Sequence, residues 1–190
     1  MPAWGNKEGQ ECNIWGYDWP ALDGAHGQIV RVPSENVVPK PTNVTFEEAA
    51  SLPLVLVTAW RKLVHKTGVK PGDHVLIWGA AGGLGVMAIQ ICRLFNAHVI
   101  AIASSDEKLE LCKTLGAEHT INRRTQDVSQ EVRNIVGRKG VDIVFEHPGQ
   151  ATAGLSLRLA GWGGKVVTSG ATSGYDASID LRHIFFRQVQ

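Results

Sequence analysis

An acid and a histidine stand side by side where an apolar run stops. Val141-Asp142-Ile143-Val144-Phe145 leads straight into Glu146, His147 and Pro148. Such a run reads as a strand. Ligands of open parallel sheets bind beyond the carboxyl ends of the strands, so a polar pair at that point is placed to face one. Read alone, His147 can equally cap the strand and bond a loop. A second chemistry-bearing stretch is "IWGAAGGLG", residues 77–85. Ala80, Gly82 and Gly85 occupy the three small-residue positions of a dinucleotide fingerprint, with Gly79 just before them. Gly82 lets the backbone approach a pyrophosphate, and Gly85 lets a helix pack on its strand. The helix opening at Gly83 and Leu84 turns its free N–H groups toward the anion.

The elements that must position these residues follow from periodicity. "TFEEAASLPLVLVTAWRKLVHKTG", residues 45–68, is helical apart from an interruption at Pro53 and stops at Gly68, with Thr45 and Glu48 spaced as a capping box. Strands and helices then alternate. "HVLIWG", "HVIAIA", "EHTIN", "VDIVFE" and "GKVVTSG" read as strands, separated by "GLGVMAIQICRLFN", "DEKLELCKTLG", "VSQEVRNIV" and "TAGLSLRLA" as helices. The expectation is an α/β fold: a doubly wound parallel sheet of Rossmann type, covered on both faces. Residues 45–190 are expected to form that dinucleotide-binding domain, incomplete at its C-terminal end. Residues 1–44 read differently. Ile29, Val30 and Val32 alternate with polar residues before Pro33, Pro39 and Pro41, which predicts a strand or two and an extended connector. Trp4, Trp15 and Trp19 in this part call for cover by the following domain.

Composition narrows the partners. The chain has 190 residues, Lys+Arg 19 against Asp+Glu 18, and a formal charge of +1, which gives no reason to expect nucleic acid or an anionic membrane. No apolar run reaches the ~18–20 residues that span a bilayer, and the first residues lack the pattern of a secretory signal. Cys12, Cys92 and Cys112 are scattered without metal spacing, so a reducing, cytoplasmic location is expected.

The end of the second strand bears on cofactor choice. Folds that bind NAD place an acid there for the ribose 2′-hydroxyl. In "IAIASSDEK" the tip reads Ala103-Ser104-Ser105, and the acids come later, at Asp106 and Glu107, where they start a helix. Ser104 and Ser105 can donate to a 2′-phosphate; Lys108 and Arg123 are candidate cations for it. Each of these two can equally be a solvated surface charge. Together the residues favour NADPH over NADH.

"GVKPGDHVLIWGAAGGLG", "KLELCKTLGAEHTIN" and "GGKVVTSGATSG" resemble the medium-chain dehydrogenase/reductase superfamily over essentially the whole chain. "IWGYD", "INRR" and above all "VFEHPG" are similar to its crotonyl-CoA carboxylase/reductase and enoyl-CoA reductase branch. The resemblance implies that residues 1–44 are a remnant of a β-rich GroES-like catalytic domain and that the chain is cut at both ends. It implies that Thr58, Gly170 and Ala171 lie near the nicotinamide. It also implies that His147 belongs to a polar site for carbon dioxide, whose partner acid falls at Asp18 in "WGYD", with Glu146 at the site edge. That partner is usually Glu, and the shorter Asp18 favours plain reduction over carboxylation. The cysteine ligand of zinc-dependent members aligns with Leu54, which cannot bind zinc, so no metal is expected. The implied activity is NADPH-dependent reduction of an enoyl thioester by a homo-oligomer. The alternatives are a zinc-independent quinone or alcohol/aldehyde oxidoreductase of the same superfamily, and a nucleotide-binding module without activity.

Overall fold

A computed structural model describes residues 25–32 and 34–190. Asp18, the "IWGYD" stretch around it, Cys12 and the first three tryptophans lie outside the described residues. The chain divides into two compact units between Ser51 and Leu52. In the first, helix α1 (Phe46–Ser51) starts at the expected capping box. The Thr45 N–H donates to Glu48 Oε2 at 2.8 Å, and the Glu48 N–H donates to Thr45 Oγ1 at 3.2 Å. The strand expected around Ile29–Val32 is not formed: these residues are irregular, and Ile29 is 95% exposed. An isolated β-run gains nothing from alternation unless a neighbouring strand accepts its backbone groups, and none pairs with it among the described residues.

The second unit holds five parallel strands: β1 (His74–Ile77), β2 (His98–Ala103), β3 (His119–Asn122), β4 (Val141–Glu146) and β5 (Ala160–Thr168). Their order is β3-β2-β1-β4-β5, so the winding reverses at β1. The expected doubly wound sheet is the one observed. Strand β5 begins earlier than its apolar run suggested, and its pairing with β4 shifts register between Val141 and Ile143.

Alternation along the strands feeds two cores. Val75, Ile77, Val99, Ala101, Ile143 and Phe145 point to one face. There they meet Ala59 and Leu63 from α2 (Pro53–Trp60) and the turn after it, and Ala88, Ile89 and Cys92 from α3 (Gly83–Leu94). Cys112 of α4 (Asp106–Leu115) joins the same face. Leu76, Trp78, Ile100, Ile102 and Val144 point the other way, against Val128 and Val132 of α5 (Val128–Val136), Leu159 of α6 (Ala153–Leu159) and Val189 beyond α7 (Arg182–Arg187). The Trp78 indole, buried in this second core, donates to Ser156 Oγ at 2.9 Å, which satisfies its one polar group. Helix α2 continues into a π-helical turn, Arg61–Lys66, which buries Lys62 and Leu63.

Candidate functional site

The site is built where the strands end at their carboxyl side. After β1 the chain makes a left-handed turn at Gly79, φ 56°, and enters α3 with Gly82 at its N-cap. The glycines at these positions have steric reasons. A Cβ on Gly85 would fall 2.5 Å from the Ala80 carbonyl carbon, which a backbone cannot yield, so only glycine lets α3 sit this close to the strand turn. A Cβ on Gly79 would lie 2.8 Å from Nε2 of His147. The glycine turn and the histidine of "FEHPG" are therefore in contact. Ala80 is fully buried, and its N–H donates to the Ile102 carbonyl at 3.0 Å, which ties the turn to the tip of β2. Gly83 and Leu84 open α3, whose first-turn N–H groups have no intrahelical acceptor.

His147 closes one side of this turn. Its ring meets Phe145 edge-on at 6.1 Å, and a Cβ on Gly170 would approach its carbonyl at 3.0 Å. Its Nδ1 is buried without a hydrogen-bond partner among the described groups. Burial, then the nearby charge of Lys62, pushes its pKa below the ordinary 6.5, against the attraction of Glu146. The imidazole is neutral at pH 7, with one ring nitrogen free to accept or donate.

Glu146 goes elsewhere. Alternation sends it to the face opposite Phe145, where it is 2% exposed. Its carboxylate accepts from the Gly149 N–H at 3.1 Å, from the Thr152 hydroxyl, and from Thr168 Oγ1 at 3.2 Å. It anchors the turn after β4 rather than meeting the imidazole beside it in sequence.

The second strand tip gathers the other expected residues. Ser104 and Ser105 are half-buried, and Ser105 is the N-cap of α4 yet makes no capping bond with its hydroxyl. The Arg123 N–H donates to the Ala103 carbonyl at 3.0 Å, placing Arg123 at the end of β2, while its side chain and that of Lys108 are exposed. Asp106 is held at 2.8 Å by the Asn122 side chain, within the first turn of α4. Thr58 is half-buried on α2 and donates its hydroxyl to the Leu54 carbonyl at 2.7 Å. Ala171 follows Gly170 and receives Gly149 against it, where a Cβ on Gly149 would lie 2.8 Å from Ala171 Cα.

One polar residue at this end had no place in the sequence reading. Lys62 is 4% exposed; its Nζ donates to the Glu146 carbonyl at 2.6 Å and to Ser169 Oγ at 3.1 Å. The signal was present, because Ala59, Lys62 and Leu63 share one helical face, but "WRKLVHK" is rich enough in charge to read as solvated surface.

Comparisons with known proteins bear on this arrangement. A family model described as zinc-binding dehydrogenase matches residues 83–190. A crotonyl-CoA reductase of Streptomyces collinus is 39% identical over 92% of this chain and 43% of its own length. A solved crotonyl-CoA carboxylase/reductase superposes with a TM-score of 0.85 at 36% identity, covering 94% of this chain and 47% of that one. A 2-octenoyl-CoA carboxylase reductase in complex with NADP and 2-octenoyl-CoA gives a TM-score of 0.71 at 40% identity, covering 80% and 38%. The chain thus spans less than half the length of these relatives. Among the described residues, no group of three or more His, Cys, Asp or Glu could hold the zinc of the family description, and Leu54, which the resemblance sets at a ligand position, is 71% exposed on α2.

Proposed function

This chain belongs to the zinc-binding dehydrogenase family, within the medium-chain dehydrogenase/reductase superfamily and among relatives of the crotonyl-CoA carboxylase/reductases, and on that premise we propose that it forms the dinucleotide-binding part of an NADPH-dependent reductase of enoyl thioesters. The observation that carries the reading is the contact of His147 with Gly79, at the sheet position where the winding reverses. Ligands of doubly wound sheets enter at that reversal.

The residues fit the cofactor. The left-handed turn at Gly79, the bare N-cap at Gly82 and the unpaired N–H groups of Gly83 and Leu84 make a cradle for a pyrophosphate. The β2 tip carries hydroxyls and no acid, with Lys108 and Arg123 close by in sequence and strand order, which suits a 2′-phosphate. Thr58, Gly170 and Ala171 border the nicotinamide end. When bound in this cradle, a reduced nicotinamide would supply a hydride for the β-carbon of the thioester double bond, with a proton needed at the α-carbon to complete the reduction. His147, held neutral by burial, orients a polar group or water beside that carbon. Glu146 supports it indirectly by fixing the turn from which it projects. Asp18, one methylene shorter than the acid usual in carboxylating relatives, favours proton capture over carbon dioxide. No step runs through zinc.

Titration calorimetry checks the cofactor, with NADPH expected to bind more tightly than NADH. Crotonyl-CoA-dependent oxidation of NADPH, followed by mass spectrometry of the product, checks the reaction. The saturated acyl-CoA should dominate even with bicarbonate present, and Asp18→Glu should raise the carboxylated fraction. Turnover of quinones without turnover of the thioester would overturn the reading.

A further inference from the structure

The β4–β5 ladder runs out at the pair Glu146–Thr168. The next rung would join the residues just beyond, His147 on one strand and Ser169 or Gly170 on the other. Lys62 stands there instead. Its ammonium takes the Glu146 carbonyl at 2.6 Å and Ser169 Oγ at 3.1 Å, and it lies 3.5 Å from the centroid of the Phe145 ring. Two acceptors and a cation–π contact account for all three N–H groups of a buried cation. The π-helical turn delivers it. The Thr67 N–H reaches back five residues to the Lys62 carbonyl at 3.0 Å, and the Val69 N–H reaches the Leu63 carbonyl at 2.8 Å. A widened turn of this kind is uncommon, and such turns concentrate at functional positions. The strand tips so joined carry His147 and Gly170, the two residues whose backbones already touch at the crevice.

We propose that Lys62 is a positioning residue: it replaces the missing rung between β4 and β5 and so fixes the gap between His147 and Gly170 in which the nicotinamide ring lies. The inference rests on the function proposed above. Three observations give it direction. The anchor points are one residue from His147 and one from Gly170, so any relaxation of Lys62 reaches the crevice directly. A surface lysine would hold neither strand, but this one is 4% exposed and its stem is packed in the core. Among the described residues, the titratable groups that face it are Glu146, at the end of β4, and His147 just beyond it, and the hydroxyl it meets is that of Ser169 after β5. Its charge also opposes protonation of His147, consistent with the depressed pKa of that ring.

The test separates the nicotinamide end from the adenosine end. Lys62→Met keeps the stem and removes charge and donors, while Lys62→Arg keeps both. Affinities for NADPH and for 2′,5′-ADP, which lacks the nicotinamide, are measured on each. In Lys62→Met, NADPH affinity should fall about tenfold while 2′,5′-ADP stays within about twofold. Lys62→Arg should recover part of the loss, and the His147 ring should titrate at higher pH in Lys62→Met by NMR. Unchanged NADPH affinity, or an equal fall for both ligands, would overturn the proposal by showing a general structural role. If the unmutated chain binds neither ligand, the dinucleotide reading itself fails. Should Lys62→Met not fold, the unmutated protein decides. The ratio of NADPH to 2′,5′-ADP affinity should drop as pH rises through about 7, where Lys62 loses its proton, and a flat ratio would overturn the idea.

Discussion

The two ends of the sheet carry similar side chains and use them differently. At the amino end, His74 and His98 stack with ring centroids 4.9 Å apart. Around them Asp142 accepts the His74 backbone N–H at 2.9 Å, Lys139 lies 3.3 Å from Asp142, and Glu118 lies 2.7 Å from His98 Nδ1. These groups are partly exposed, and each charge has water as an alternative partner. At the carboxyl end Lys62 and Glu146 are 4% and 2% exposed, and they bond backbone and hydroxyl groups of the strand ends. Both ends also hold a histidine with a buried, unpartnered Nδ1. For His74 an acid stands 3.7 Å from that nitrogen, whereas for His147 the glycine turn lies against the other ring nitrogen, Nε2. Solvated pairs contribute little to stability because water competes for them, whereas buried ones fix backbone geometry at a cost that only a required geometry explains. Strand tips at one end are merely closed off, and at the other they are held at set distances.

The largest expected effect compares the two acids. Glu146→Ala leaves the Gly149 N–H without its acceptor and the Thr152 and Thr168 hydroxyls with only the Gly149 and Gly170 carbonyls, and should lower unfolding stability by about 3 kcal/mol. Asp142→Ala at the amino end should cost about 1 kcal/mol, since water replaces the lost contacts. Urea denaturation measures both, and equal losses would break the comparison.

The next effect is in pH. Burial pushes Lys62 down from 10.5 to about 7, against the attraction of Glu146. The unfolded chain then holds the proton more firmly, so between about 7 and 10.5 stability should rise with pH. His74 is also shifted down from 6.5, by burial first and then by His98. Here too the unfolded chain binds the proton better, so stability is present above pH 6.5 and lost on acidification below it. Each limb is limited to about 1.4 kcal/mol per pH unit per group. Lys62→Met should flatten the alkaline limb and leave the acid limb; His74→Asn should do the reverse. Thermal unfolding at a series of pH values would show a single merged response if the two ends are coupled.

A smaller effect concerns ligand. The double change Lys108→Ala, Arg123→Ala should cut the preference for NADPH over NADH about tenfold in titration calorimetry. Arg133→Ala with Arg158→Ala, at the amino end, should leave that preference untouched. The smallest signal is that of metal: elemental analysis should find well under one zinc per chain, and chelators should not change NADPH affinity.

Some elements were legible residue by residue. The strand at 141–146 and the helix at 128–136 appear where their patterns placed them. The helix is capped by Asp127, which accepts from the Ser129 and Gln130 N–H groups. Glycine positions were legible too, because a fingerprint states a steric need that local sequence meets by itself. Lys62 was not, since a lysine reads as solvated until the widened turn that buries it is known. The contact of His147 with Gly79 joins residues 68 positions apart, and no local pattern carries that information.

The sequence by itself determined the alternation of strands and helices of a doubly wound sheet, the glycine turn between β1 and α3, and the absence of an acid at the β2 tip. These follow from periodicity and from which residues tolerate a tight turn, which are properties of neighbours along the chain. Only the tertiary structure decided how the "FEHPG" pair is divided, with Glu146 drawn to three donors beneath the turn and His147 left against the glycines. It also decided that an ammonium, rather than a backbone rung, joins the tips of β4 and β5. The reason is physical: a strand fixes which side each residue faces, but what waits on that side comes from elements distant in the chain, and burial there sets hydrogen bonds and charge states.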